Sequence, residues 1–188
     1  MNGSLAVSKE KHYTYSDMLT WGDAVRYELV DGIAYAMTSP SAKHQRVLRE
    51  IMGLLWSFLK GKPCELFVAP SDVRLNAHQG DDTVFQPDLY VVCDKTKFHE
   101  RGYLGAPDLV IEILSPSTAR FDTIVKFQKY LEASVLEYWI VDPEGKTVDV
   151  FVLENDRYIR SEYGKNDTVS SRVLNELELN LTEVFIDL

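Results

Sequence analysis

Apolar and polar positions alternate along "RYELVDGIAYAM" on both sides of Asp31-Gly32. A period of two predicts a β-hairpin, with Asp-Gly supplying the turn. Tyr27 and Leu29 then share one face, and Arg26, Glu28 and Val30 the other. The stretch "SPSAKHQRVLREIMGLLWSFLKGK" repeats instead at helical spacing. Leu48, Ile51, Leu55, Phe58 and Leu59 form its stripe, Ser41 is the expected cap and Gly61 the expected stop. His44 lies in line with the stripe, one turn before Leu48.

Three strands are expected next, over Cys64–Leu75, Val84–Cys93 and Pro107–Leu114, joined by the polar loops "NAHQGDD" and "DKTKFHERGYLGA". A second helix should run from about Thr118 or Asp122 to Ala133, with Ile124, Phe127 and Leu131 as its apolar stripe. "EYWIVDPEGKTVDVFVL" reads as two strands around a Pro-Glu-Gly turn. "RYIRSEY" is another strand, and "LNELELNLTEVF" an apolar ending. A short helix is expected over Thr14–Trp21, capped by Ser16. Strands, helix, three strands, helix and strands in that order predict an α+β fold, a mixed sheet with helices on its faces, rather than a doubly wound βαβ repeat. No repeat or linker divides the chain, so residues 1–188 read as one domain, with 1–12 expected to be flexible.

Composition narrows the classes. With 188 residues and 45% hydrophobic content, the chain can bury a core without metal staples. Cys64 and Cys93 form no C-x-x-C pair, which argues against structural zinc and fits a reducing cytosol. No apolar run approaches the roughly 18 residues of a membrane helix, and no targeting signal stands out, so a cytoplasmic protein without membrane contact is expected. The net charge of −9 argues against strong non-specific grip on nucleic acid. A metal-loaded acidic site is less affected by that balance.

The candidate chemistry sits in two Pro-Asp strands, "QPDLYVVC" and "APDLVIEILSPST". Glu112 lies between Ile111 and Ile113, where a lone carboxylate costs several kcal/mol unless it is paired or metal-bound. A structural ion pair, for example with Arg74, is the plain alternative. Asp108 stands about 13 Å from Glu112 along the strand, at ~3.3 Å per residue, too far to share an ion. Asp88 is better placed if its strand lies beside that of Glu112, about 4.8 Å away. Two carboxylates at that spacing can share Mg²⁺ (or Mn²⁺), a hard cation that keeps several waters. No phosphate-binding glycine loop, nucleophile elbow or zinc spacing is present.

Together with "RYELVDGIAYAM", "SPSAKHQRVL", "DTIVKFQKY" and "EYWIVDPEGKTV", these stretches resemble the PD-(D/E)XK nuclease superfamily, and more closely the putative restriction endonuclease-like family within it. The resemblance spans about Tyr27 to Val152. It implies a core of helix, three strands, helix and strand, preceded by the hairpin and followed by C-terminal strands. It also implies a metal-dependent nuclease that hydrolyses phosphodiester bonds, a DNA endonuclease acting as a homodimer. By resemblance Asp88 and Glu112 are the motif acids, with the Ile113 backbone carbonyl as a further metal ligand. The motif lysine position is Leu114, and the resemblance moves that lysine to Lys126 on the second helix. Periodicity sets Lys126 away from the apolar stripe, in line with Asp122 and Tyr130, so it points into a cleft or into water; an Asp122–Lys126 pair is the bland reading. Glu28, His44, Asp72, Gln128 and Tyr130 are accessory candidates: Glu28 as a third acid or packing residue, His44 as a core residue or a contact to water or phosphate, Asp72 as an acid-cluster or turn residue, Gln128 and Tyr130 behind the acids. A non-catalytic binding or assembly module on the same fold is the alternative function, and a hydrolase of another phosphate ester a third.

Overall fold

The computed structural model describes residues 11–22 and 24–188. Most of the stretch expected to be flexible, 1–12, lies outside the described residues; within it, His12 Nε2 is 2.8 Å from Asp82. The strands are β1 (Tyr27–Val30), β2 (Ile33–Ala36), β3 (Glu65–Val68), β4 (Asp72–Arg74), β5 (Val84–Phe85), β6 (Leu89–Val92), β7 (Phe98–His99), β8 (Gly102–Leu104), β9 (Leu109–Ile113), β10 (Glu137–Asp142), β11 (Thr147–Glu154), β12 (Arg157–Gly164), β13 (Thr168–Ser170) and β14 (Glu178–Asn180). The α-helices are α1 (Tyr15–Met18), α2 (Ala42–Leu59), α3 (Phe127–Glu132) and α4 (Leu181–Val184), with a π-helix over Phe121–Lys126 running directly into α3.

One mixed sheet has the order β12-β11-β10-β9-β6-β3 and another the order β2-β1-β5-β4-β8-β7; β13 and β14 form a separate ribbon. In the first sheet β9 and β10 are parallel, and β6 is antiparallel to β9, pairing Leu89 with Ile111. This is the expected α+β architecture with helix, three strands, helix and strand at its centre. Side-chain alternation splits β9 cleanly. Leu109, Ile111 and Ile113 pack with Val47, Ile51 and Leu55 of α2, while Val110 faces a second core with Tyr90, Tyr130 and Tyr138. Glu112 shares the Val110 parity, so it emerges on the side covered by the π-helix.

The hairpin forms as expected. Asp31 and Gly32 both take positive φ, 48° and 75°, as its tight turn requires. Ser41 caps α2 by accepting the His44 N–H, 3.2 Å away. Several expectations are corrected. Cys64–Leu75 and Val84–Cys93 are not single strands: each breaks beside a proline, Pro70 or Pro87, and its two halves join different sheets. Proline has no N–H for a ladder, so it marks the crossing. "DKTKFHERGYLGA" is not a plain loop, since it holds a 3₁₀ turn and the β7–β8 hairpin. Thr14, not Ser16, caps α1, with Asp17 accepting from the Thr14 N–H and hydroxyl. "TVDVFVL" is not an open sheet edge, because β11 is paired on both sides by β10 and β12. Cys64 and Cys93 are joined by a disulfide beside the Glu65–Val92 pair of β3 and β6. Strand pairing brings together residues 29 apart in sequence, and the cysteines no longer argue for a reducing compartment. Among the described residues no helix is long and apolar enough to cross a membrane.

Candidate active site

The second helix departs most from its expected form. Ile124, placed on the apolar stripe by the α-helical period, is 57% exposed. The buried residues are Asp122, Lys126 and Tyr130. The cause is the π-helical turn, in which the Phe127 N–H reaches back to the Asp122 carbonyl, five residues away. The Tyr138 hydroxyl also donates to that carbonyl, at 3.1 Å. An extra residue per turn shifts the phase of the helix, and such turns recur at functional sites. The polar line 122–126–130 therefore faces the sheet.

Lys126 Nζ lies 2.8 Å from Glu112 Oε1, 2.9 Å from Glu28 Oε1 and 3.5 Å from Asp122 Oδ1. Tyr130 donates its hydroxyl to the same Glu112 Oε1 at 2.9 Å. Glu28 also accepts the Gln86 backbone N–H at 2.9 Å. On the other wall, Asp88 Oδ2 accepts the Ile113 N–H at 2.8 Å and meets His44 Nε2 at 3.0 Å. A carboxylate oxygen accepts, so His44 Nε2 carries the proton; its Nδ1 is buried with no hydrogen-bond partner among the described residues. Glu28, His44, Asp88, Glu112, Asp122 and Lys126 line one cavity of about 210 Å³.

The hydrogen bonds to the Glu112 carboxylate fall on Oε1, and those to the Asp88 carboxylate fall on Oδ2. Each acid thus keeps one oxygen, Oε2 and Oδ1, outside the internal network. The Ile113 C=O leaves β9 on the same edge as its N–H, toward Asp88, since both backbone groups of a strand residue point to one neighbour.

Three carboxylates, Glu112, Glu28 and Asp122, surround one ammonium. Burial holds Glu112 well above the usual carboxylate range, Asp122 and Asp88 adding to the shift while Lys126 opposes it. Burial likewise pushes Asp122 up to about 6, against the pull of Lys126. For Lys126 burial favours the neutral form, but Glu112, Glu28 and Asp122 outweigh it and hold the amine well above an ordinary lysine. Lys126 is therefore a fixed positive charge and not a general base.

The expected residues sort as follows. Asp88, Glu112, Lys126, Glu28 and His44 meet at the cavity, with Tyr130 directly behind Glu112. Arg74 is not the partner of Glu112; it pairs with Asp81. Asp72 stands outside the cluster, held by the Tyr15 hydroxyl and the Gln86 amide at 2.8 Å each. Gln128 is exposed and bonded to Glu132. Asp108 accepts the Cys93 N–H, a strand-entry role. Asp122 is more than an i, i+4 partner of Lys126: it is buried and a full member of the cluster, and its i, i+4, i+8 alignment with Lys126 and Tyr130 is the sequence signal for it. Glu137 is fully buried too, but Trp139, Ser171 and two backbone N–H groups occupy both its oxygens, which makes it an anchor for the C-terminal segment.

A mixed sheet carrying two acids on neighbouring strands, flanked by helices of which one delivers a lysine, defines a restriction endonuclease-like protein. The chain belongs to the Uma2 family, described as putative restriction endonuclease, whose model matches residues 14–182. A crystal structure described as a putative nuclease belonging to DUF820 from Anabaena variabilis ATCC 29413 superposes with a TM-score of 0.75, covering 92% of this chain and 97% of that one at 21% identity, and so shares the fold. Two uncharacterized proteins of Synechocystis sp. (strain ATCC 27184 / PCC 6803 / Kazusa) are similar in sequence. The protein slr1290 is 29% identical over 143 residues, 74% of each chain. The protein sll1609 is 30% identical over 133 residues, 69% of this chain and 73% of its own.

Proposed function

We propose that this protein is a metal-dependent nuclease that hydrolyses phosphodiester bonds, with DNA as the substrate. The observation that supports this reading best is that Asp88 and Glu112 line one cavity with Lys126, each with one carboxylate oxygen, Oδ1 and Oε2, outside the hydrogen bonds of the site. The donor set fits a hard divalent cation. Asp88, Glu112 and the Ile113 carbonyl would hold Mg²⁺ or Mn²⁺, oxygen ligands of the kind such ions take.

When bound, the cation lowers the pKa of a water it carries and neutralises charge on the attacked phosphate. The protein's own groups do the rest. His44 fixes Asp88 Oδ2 and so aims Oδ1 at the cavity. Tyr130 and Lys126 fix Glu112 Oε1 in the same way. Lys126, permanently charged, opposes the negative charge that grows on the phosphate oxygens in the transition state, where a dry and fixed charge counts most. Glu28 and Asp122 hold the ammonium in place.

Nicking of supercoiled plasmid and cleavage of single-stranded circular DNA with Mg²⁺ or Mn²⁺ test this directly, comparing wild type with Asp88→Ala and Glu112→Ala. Metal-dependent cleavage lost in both variants is expected. Absence of cleavage above the variants, with no Mn²⁺ binding by calorimetry, would leave the non-catalytic module instead. A light-scattering mass separates a monomer from a homodimer, the form that brings two sites to a duplex.

A further inference from the structure

The active-site cavity does not end at the acids. It shares Arg26 and Gln86 with a second cavity of about 360 Å³, which shares Trp21, Val25 and Tyr27 with a third of about 330 Å³. The three make one groove, running from Glu112 and Asp88 to an aromatic cluster on the N-terminal segment. Trp21 anchors that cluster, edge to face with Tyr13 at 5.1 Å and with Tyr27 at 4.9 Å between ring centroids. Leu19 and Val25 on its rim are 44% and 43% exposed, which is unusual for large apolar side chains grouped together.

Beyond the acidic active-site end, the charged side chains lining the groove are Arg26, Arg101 and Asp72. Arg26 stands exposed at the first junction and Arg101 exposed on the wall of the second cavity. Neither guanidinium has a carboxylate partner among the described residues. The acid in that wall, Asp72, already has both oxygens occupied, one by Tyr15 and one by Gln86. At the far end Lys11 Nζ sits 5.0 Å from the Tyr13 ring. Unmatched cations spaced along a channel whose floor is aromatic and aliphatic suit a ligand that is anionic on one side and flat and apolar on the other.

A nucleic-acid strand has that chemistry, and only an unpaired one offers it here. In a duplex the base faces are stacked on one another and cannot lie on protein rings, whereas an open strand places phosphates on cations and bases on aromatic side chains. We infer that this groove binds an unpaired nucleic-acid strand continuing from the scissile phosphate, with phosphates on Arg26 and Arg101 and bases against Trp21 and its apolar rim. The inference rests on the nuclease reading and specifies its substrate as a single strand, flap or frayed end. A single active site suffices for such a substrate.

Fluorescence anisotropy with a short labelled DNA single strand and a hairpin duplex tests it, with Ca²⁺ replacing Mg²⁺ to prevent cleavage. The single strand should bind about tenfold tighter than the duplex. The exposed pair Arg26→Gln/Arg101→Gln should weaken strand binding about tenfold and lower the slope of log K against log salt by about 1.4, or ~0.7 for each lost phosphate contact. Arg157→Gln/Arg172→Gln, an equal loss of charge at exposed positions outside the groove, should do neither. Equal or tighter duplex binding, or an Arg26→Gln/Arg101→Gln variant no weaker than this control, overturns the inference. Cleavage and Mn²⁺ binding of the wild type are read separately. Their absence with groove binding intact removes the nuclease reading alone, and their presence with an unaffected double variant removes the groove alone.

Discussion

Lys126 Nζ and Glu112 Oε1, on a π-helix and a central strand, are 2.8 Å apart and both almost fully buried. The pair is neither isolated nor balanced, because Glu28 and Asp122 bring two more carboxylates within 3.5 Å of the same ammonium. The site is therefore short of positive charge as it stands, and that shortage governs how it should respond to substitution, pH and metal.

Removing either partner should have opposite effects on stability. Lys126→Met leaves the carboxylates without their counter-charge and should destabilise the protein by about 3–5 kcal/mol, the usual cost of stranding buried charge. Glu112→Gln removes one of the crowded acids and should leave the unfolding midpoint in urea unchanged or raised. Both should lower cleavage at least 100-fold. Urea unfolding and a nicking assay on the same preparations measure the two effects.

The metal-free protein should lose stability as pH rises. Asp122 is pushed up to about 6 from an ordinary 3.8, chiefly by burial. Between those values the folded state holds a proton that the unfolded chain has released, so the contribution is present below about 3.8 and lost as pH passes through about 6. Asp122→Asn should flatten this part of the profile, gaining on the order of 2 kcal/mol over wild type at pH 7 in the absence of metal. An unchanged slope between pH 4 and 7 would contradict the assignment.

His44 should matter through Asp88. His44→Leu keeps the apolar packing of α2 and removes the hydrogen bond to Oδ2. Mn²⁺ affinity measured by calorimetry should fall about 10- to 100-fold, as for other residues that orient a ligand from behind, with little change in thermal midpoint. His44→Asn, if its amide reaches Oδ2, should recover part of the affinity.

Gln128→Ala should be silent. Its side chain is exposed and bonded to Glu132 on the helix surface, so both cleavage and stability should stay within about 0.5 kcal/mol of wild type. A large loss of activity would mean that the surface of α3 reaches the substrate.

By itself the sequence determined the main elements, because periods of two and 3.6 report which face of a strand or helix meets the core. The hairpin at Asp31-Gly32 and the stripe of α2 with His44 in line were legible there, whereas the pairing of the Pro-Asp strand with the Glu112 strand entered only as a condition that the structure met. The place of Glu112 was legible too, through the cost of an acid between Ile111 and Ile113. Tertiary structure alone decided the rest. The helical period aligned Lys126 with Asp122 and Tyr130, but that this line faces the sheet, and not the one through Ile124, depended on a π-turn braced by Tyr138. The partition of Cys64–Leu75 and Val84–Cys93 between two sheets brought Cys64 to Cys93 and Gln86 to Glu28, contacts set by pairing between distant strands. Glu112 and Glu137 look alike as buried strand acids. They differ only in whether backbone and side-chain donors from elsewhere fill both oxygens or leave one open to the cavity, and that is a property of the assembled fold.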